Sequence, residues 1–158
     1  MPFSLPANYN PGDQYSNVAA NNVAAAINSL VNGLQTAYVA TNETTASTTY
    51  TDLTTTTDQV TVTVGQSGLV LVIISAYITT PTGASTQCMS FALSGANTLA
   101  ASDTYSIAMQ GYGGGVRLGA VFPLPGLAPG ATTFKAKYNT NAGTANFSLR
   151  RITVIPFP

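Results

Sequence analysis

The sequence predicts a mainly β protein: an antiparallel jelly roll or β-sandwich of about eight strands, preceded by a short N-terminal α-helix. Three observations point there. From Asn42 onward Thr, Val and Tyr dominate, Gly and Pro punctuate, and helix signals vanish. Short apolar-alternating segments recur at turn spacings of roughly 8–12 residues. Ahead of them, residues 16–41 carry a 3,4 apolar spacing that belongs to a helix. The 158 residues suit one domain with a small appendage.

Residues 1–15 read MPFSLPANYNPGDQY, and three prolines with Gly12 forbid a regular helix there. Phe3, Leu5, Tyr9 and Tyr15 are its apolar anchors. The segment reads as an extended arm that lies on a partner, or else as a frayed terminus. Residues 16–41 follow as a helical stalk. Ala20, Val23, Ile27, Leu30, Leu34 and Ala37 are spaced 3, 4, 3, 4 and 3 apart, an a/d heptad stripe. Ser16 can cap the helix. The opposite face (Asn21, Asn22, Asn28, Ser29, Asn32, Gln35) carries no charge. Several Asn and a central Gly33 weaken intrinsic propensity, and a lone helix of this length is marginal in water. It must therefore pack either on its own β domain or on copies of itself. In the second case the six stripe residues form a trimer axis, although the stripe alone does not fix the oligomer number.

Residues 42–158 form the predicted knob. Its candidate strands are 47–53, 59–64, 69–79, 87–94, 104–110, 116–124, 133–138 and 144–155. Gly65-Gln66-Ser67-Gly68 and residues 139–143 read as hairpin turns, and Pro129-Gly130 suits a type II turn. Val60, Val62 and Val64 alternate with Thr61 and Thr63, so one face is buried and one is wet. Residues 69–74 are apolar on both faces. Such a strand should be covered by the second sheet on one side and by a neighbouring subunit or a loop on the other.

Composition excludes much chemistry. Charged residues are 6% of the chain, against a usual ~25%. A basic nucleic-acid surface is excluded, and zero net charge gives little protection from association, which suits life inside an assembly. With no His, a Ser-His-Asp triad, a Cys-His pair and a His-ligated metal are impossible. The single cysteine, Cys88, excludes an intrachain disulfide and, in its alternating strand, reads as a small packed residue. The first basic residue is Arg117, so no signal-peptide n-region is present. Residues 69–78, ten long with an internal Ser75, are too short to span a bilayer as a helix. Synthesis in a reducing cytoplasm without membrane insertion is expected.

No catalytic constellation can be assembled. Asp52 and Asp58 carry no glycosidase motif and read as turn aspartates. Gly111-Tyr112-Gly113-Gly114-Gly115 lacks the Lys and the strand–helix context of a phosphate loop. No cofactor motif occurs, and only an oxygen-ligated calcium ion at a trimer axis stays open as a metal. The chain is not expected to be an enzyme. All five acids (Asp13, Glu43, Asp52, Asp58, Asp103) precede all five bases (Arg117, Lys135, Lys137, Arg150, Arg151). First and last strands of a jelly roll often lie together, so Asp52 is expected to pair with Arg150 or Arg151.

The succession STTYTDL, QVTVTVGQSGLVLV, MSFALSGANTLAASD, LPGLAPGATTFKAKY and FSLRRITVIP resembles a β-sandwich module of tailed-bacteriophage virion proteins. Such modules occur in minor tail, tail-fibre and head-fibre or capsid decoration proteins of actinobacterial phages. The likeness covers about residues 45–158. It implies a virion structural role, a TNF-like jelly roll and a homotrimer on the particle surface, with no catalytic residues to carry over. The chain has an arm and a short stalk but no long shaft. That favours a capsid decoration (head-fibre or minor capsid) protein held to the major capsid protein, or another virion protein, by its arm. A tail-tip or short tail-fibre subunit, binding a host cell-surface glycan, is the alternative.

Overall fold

The computed structural model describes residues 14–79, 85–111 and 114–158. Helix α1 spans Gln14–Gly33, and nine strands follow among the described residues: β1 (Gln35–Val39), β2 (Glu43–Thr45), β3 (Gln59–Val64), β4 (Val70–Thr79), β5 (Ser85–Gly95), β6 (Ile107–Gly111), β7 (Gly115–Leu124), β8 (Gly130–Thr140) and β9 (Ala145–Pro156). They form two antiparallel sheets. One has the order β1-β9-β4-β7, with β2 also on β9, and the other has the order β3-β8-β5-β6. The path alternates between the sheets nearly throughout, and β5–β6 is the one consecutive pair hydrogen-bonded in this set. This is a jelly-roll sandwich, with the first and last strands side by side as expected.

The helix is shorter than the heptad stripe implied. It ends at Gly33, Leu34 lies beyond it, and Ala37 sits in β1 opposite Ile152 of β9. The reason is local and tertiary together. Gly33 weakens the helix at its end, and Gln35-Thr36-Ala37-Tyr38-Val39 can satisfy five backbone units on the edge of β9. That outweighs one more helical turn. At the other end the helix begins at Gln14, so Ser16 is not its cap and Tyr15 belongs to the helix rather than the arm. Phe3, Leu5 and Tyr9 lie outside the described residues, as does the side chain of Leu30.

Two predicted hairpins are crossovers. Gly68 N–H donates to Gly65 O at 3.1 Å, so the turn exists. It joins β3 of one sheet to β4 of the other, and residues 141–144 likewise join β8 to β9. Gly68 has φ 63°, and a Cβ there would lie 2.7 Å from Leu127 O, so the crossover demands glycine. Residues 47–53 are not a strand. They lie across the four-stranded sheet, held by a bridge between Thr51 and Tyr138.

The core lies between the sheets. Val70, Val72, Ile74 and Ile78 of β4 meet Met89 and Phe91 of β5, Phe134 of β8, and Ile152 and Val154 of β9, all buried. Phe91 anchors an aromatic cluster, with ring centroids 5.7 Å from Tyr105, 5.9 Å from Phe122 and 6.4 Å from Phe134. Alternation supplies this: Met89, Phe91 and Leu93 point inward while Cys88, Ser90 and Ala92 point outward.

Candidate functional site

The two sheets present opposite chemistries outward. The four-stranded sheet is polar. Thr61 and Thr133 hydroxyls meet at 2.7 Å on it, and Lys135 and Lys137 bracket Asp52 at 2.8 and 2.7 Å. Burial pushes the Asp52 carboxyl up, but the two lysines together pull it below its ordinary value. Asp52 thus pairs with lysines of β8 and not with Arg150 or Arg151.

The outward face of the five-stranded sheet is apolar at one end and aromatic-cationic at the other. The registers Leu71↔Pro123, Ile73↔Val121 and Leu71↔Ile155 place these side chains on one surface, and Val121 is 55% exposed. Farther along, Tyr38↔Arg151 and Tyr77↔Arg117 share that surface, with the Arg151 guanidinium 5.1 Å from the Tyr38 ring centroid. Arg117 and Arg151 have no acidic partner among the described residues. Strand β4 is therefore apolar on both faces for two reasons: one faces the core, and the other faces outward.

Helix α1 adds a second apolar surface. Of the six stripe residues, Ala20, Val23 and Ile27 lie on the helix with described side chains, and Val23 and Ile27 are 41% and 55% exposed. They do not pack into the sandwich of their own chain. Val18 is also exposed, on the opposite side of the helix from Ile27.

The sequence reading missed a buried charge cluster between the sheets. Between β4 and β9, Leu149 and Arg150 stand together opposite Ala76 in a β-bulge. Leu149 has φ 50°, and the extra residue turns Arg150 inward, where it is fully buried. Its Nη2 donates to Glu43 Oε2 at 2.8 Å, its Nη1 donates to Thr41 O at 3.1 Å, and its Nε lies 3.4 Å from Asp58 Oδ2. Tyr138 donates its hydroxyl to Asp58 in a short hydrogen bond and sets its ring 5.5 Å from the guanidinium. Burial holds the Asp58 carboxyl above its ordinary value despite these partners. Burial raises Glu43 too, but Thr55 hydrogen bonds and the Arg150 charge leave it below. One Arg in a Thr-rich chain gives no sequence signal of burial; the bulge that aims it is a property of the sheet.

None of these groups forms a nucleophile–base pair. Asp52 and Asp58 are committed to cations, and Cys88 is buried, with burial first and the Asp103 charge second pushing its thiol up. Among the described residues no group of three or more His, Cys, Asp or Glu could hold a metal ion, and no helix is long and apolar enough to cross a membrane.

No family model and no curated protein matches this sequence. Solved structures do resemble it. The Eiger TNF from S. frugiperda has 10% identity over 79% of this chain and 92% of its own, with a TM-score of 0.49. The structure of infectious bursal disease virus Gx strain has 13% identity over 78% of this chain and 32% of its own, with a TM-score of 0.44. The enzymatically active domain of bacteriophage CBA120 tailspike protein 4 has 10% identity over 77% of this chain and 19% of its own, with a TM-score of 0.31. All three lie below a TM-score of 0.5, so the jelly-roll assignment rests on the chain's own strand order.

Proposed function

We propose that this chain is a structural protein of a phage particle: a homotrimeric capsid decoration protein, anchored by its N-terminal arm, with the sandwich facing outward. The observation that carries the reading is the pair of uncovered apolar surfaces, on α1 and on the outward face of the five-stranded sheet. Exposed contiguous apolar patches mark association sites. Here a chain with 6% charged residues has little surface charge to oppose association. Tyr and Arg, which dominate binding energy at interfaces, sit at the rim of the sheet patch. The buried cluster stiffens the sandwich and needs no substrate, so the reading is structural, without catalysis or a cofactor.

The experiment is deletion of residues 2–14. The truncated chain should keep its oligomeric state and no longer associate with particles. If it decorates particles as well as the intact chain, the attachment surface is the sandwich and the orientation is reversed. Counting copies per particle by quantitative mass spectrometry separates decoration, with tens of copies or more, from a tail-tip subunit, with a handful.

A further inference from the structure

A groove runs across the outward face of the four-stranded sheet. Its main cavity has a volume of about 650 Å³, within the range that holds small ligands. A second cavity of about 330 Å³ continues it, and Thr48, Asp103 and Asn139 line both. The floor is Ala92 of β5 with Lys137 and Asn139 of β8, and the walls are segments 48–50 and 100–103.

The walls are pre-formed. Ser90, pointing outward from β5, bonds Ser102 O at 2.9 Å and Tyr105 O at 3.0 Å, fixing one wall to the sheet. The Thr51 bridge to Tyr138 and the Thr140 N–H to Ser47 O bond, at 2.9 Å, fix the other. Tyr50 clasps the two together by donating its hydroxyl to Asp103 Oδ1 at 2.7 Å. A ligand therefore meets no ordering cost in the walls.

The lining selects a ligand class by elimination. Lys137 shares Asp52 with Lys135, and the acidic side chain of Asp103 lines the same groove, so the lining does not single out a phosphate, sulfate or carboxylate. The apolar part of the lining is the Ala92, Ala100 and Ala101 methyls beside the Tyr50 ring, a shallow surface that suits the flat face of a ring rather than a deep alkyl anchor. The groove crosses a sheet face rather than an edge, so a peptide cannot add as a strand. What the lining does offer is hydrogen bonding: among the described residues the half-buried Asn139 amide and the Thr48 hydroxyl have no side-chain hydrogen bond, and Asp103 uses Oδ1 on Tyr50 and leaves its other oxygen to the groove. Vicinal hydroxyls on a ring with an apolar CH face match that set. We infer that this groove is a binding site for a neutral carbohydrate of one or two sugar rings. The inference deepens the particle-surface reading by giving the outward unit a ligand.

The test is an amide chemical-shift titration of the intact chain with the methyl glycosides of glucose, galactose, mannose and arabinose, and with N-acetylneuraminic acid as a charged comparator. At least one neutral glycoside should shift the Tyr50, Ala92, Asp103 and Asn139 amides saturably, and the acid should not. Asn139→Ala should weaken that binding about tenfold, the worth of one good hydrogen-bonding group, and Thr48→Val should weaken it if Asn139→Ala does not fold. Val121→Ala, on the other sheet, should leave it unchanged. Failure of all four neutral glycosides, an equal response to the acid, or undiminished binding in the groove variants overturns the proposal. Because the titration uses isolated protein, its failure leaves the particle-association result standing, and the reverse.

Discussion

Arg150 shows how one residue can tie four segments together. It joins β9, where it resides, to Thr41, Glu43 and Thr55 and to the Asp58–Tyr138 pair. Replacing it with Met leaves two carboxylates in the interior without a cation. Breaking a buried pair in this way costs about 3–5 kcal/mol, and urea unfolding of Arg150→Met should show a loss of that size. The bulge that aims it has its own requirement. Leu149→Val should cost about 1–2 kcal/mol, because a β-branched residue is poorly tolerated at φ 50°, while Leu149→Gly should cost less.

The same cluster, together with Asp52 on the outer face, shapes the acid response. Asp58 is held above its ordinary value of 3.8, so folding favours its protonated form. Its contribution is full below that value and is lost as pH rises through the raised one. Glu43 and Asp52 are held below 4.5 and 3.8, so their contributions are present above those values and are lost as pH falls through the depressed ones. Stability should therefore rise as pH falls from neutrality toward the upper carboxylate range, then decline below it. Asp58→Asn should remove the rise, and Glu43→Gln should remove part of the decline. Urea midpoints measured across the acid range check both.

At the scale of elements, α1 and the sandwich are separable in their energetics. The two sheets bury the whole aromatic and aliphatic core, whereas Val23 and Ile27 of the helix are exposed in the single chain. Deleting residues 1–33 keeps β1 and should leave the melting temperature of the sandwich within a few degrees of the intact chain. The sedimentation coefficient should fall if α1 contributes to association. Ile27→Asp should have the same effect on association without loss of residues.

At the scale of the whole molecule, the polarity difference between the two outward faces is what the proposed assembly would use. Val121 is 55% exposed, so Val121→Asp should change single-chain stability by no more than about 0.5 kcal/mol. In a trimer packed on that face the new carboxylate would be desolvated without a partner, which costs several kcal/mol. Sedimentation equilibrium should then show dissociation of a folded chain. An unchanged oligomer would place the interface elsewhere.

By itself the sequence determined the class of fold, because alternation is local. Val60, Val62 and Val64 against threonines, and Met89, Phe91 and Leu93 against Cys88, Ser90 and Ala92, each declare an inward face wherever the strand lies. The double-sided apolar run of β4 announced a second face covered by a neighbouring subunit or a loop, and in the single chain that face is turned outward. Tertiary structure decided what local pattern cannot carry. The 3,4 stripe through Leu34 and Ala37 reads as helix, but the edge of β9 made strand from Gln35. Turns at Gly65–Gly68 and 141–144 have hairpin chemistry, but which sheet the next strand joins depends on distant partners. The charge pairs went the same way. Asp52 found Lys135 and Lys137, Glu43 and Asp58 found Arg150, and the groove arose where two loops settled on β5 and β8. Each of these contacts joins residues scores of positions apart, and chain separation of that kind leaves no periodicity to read.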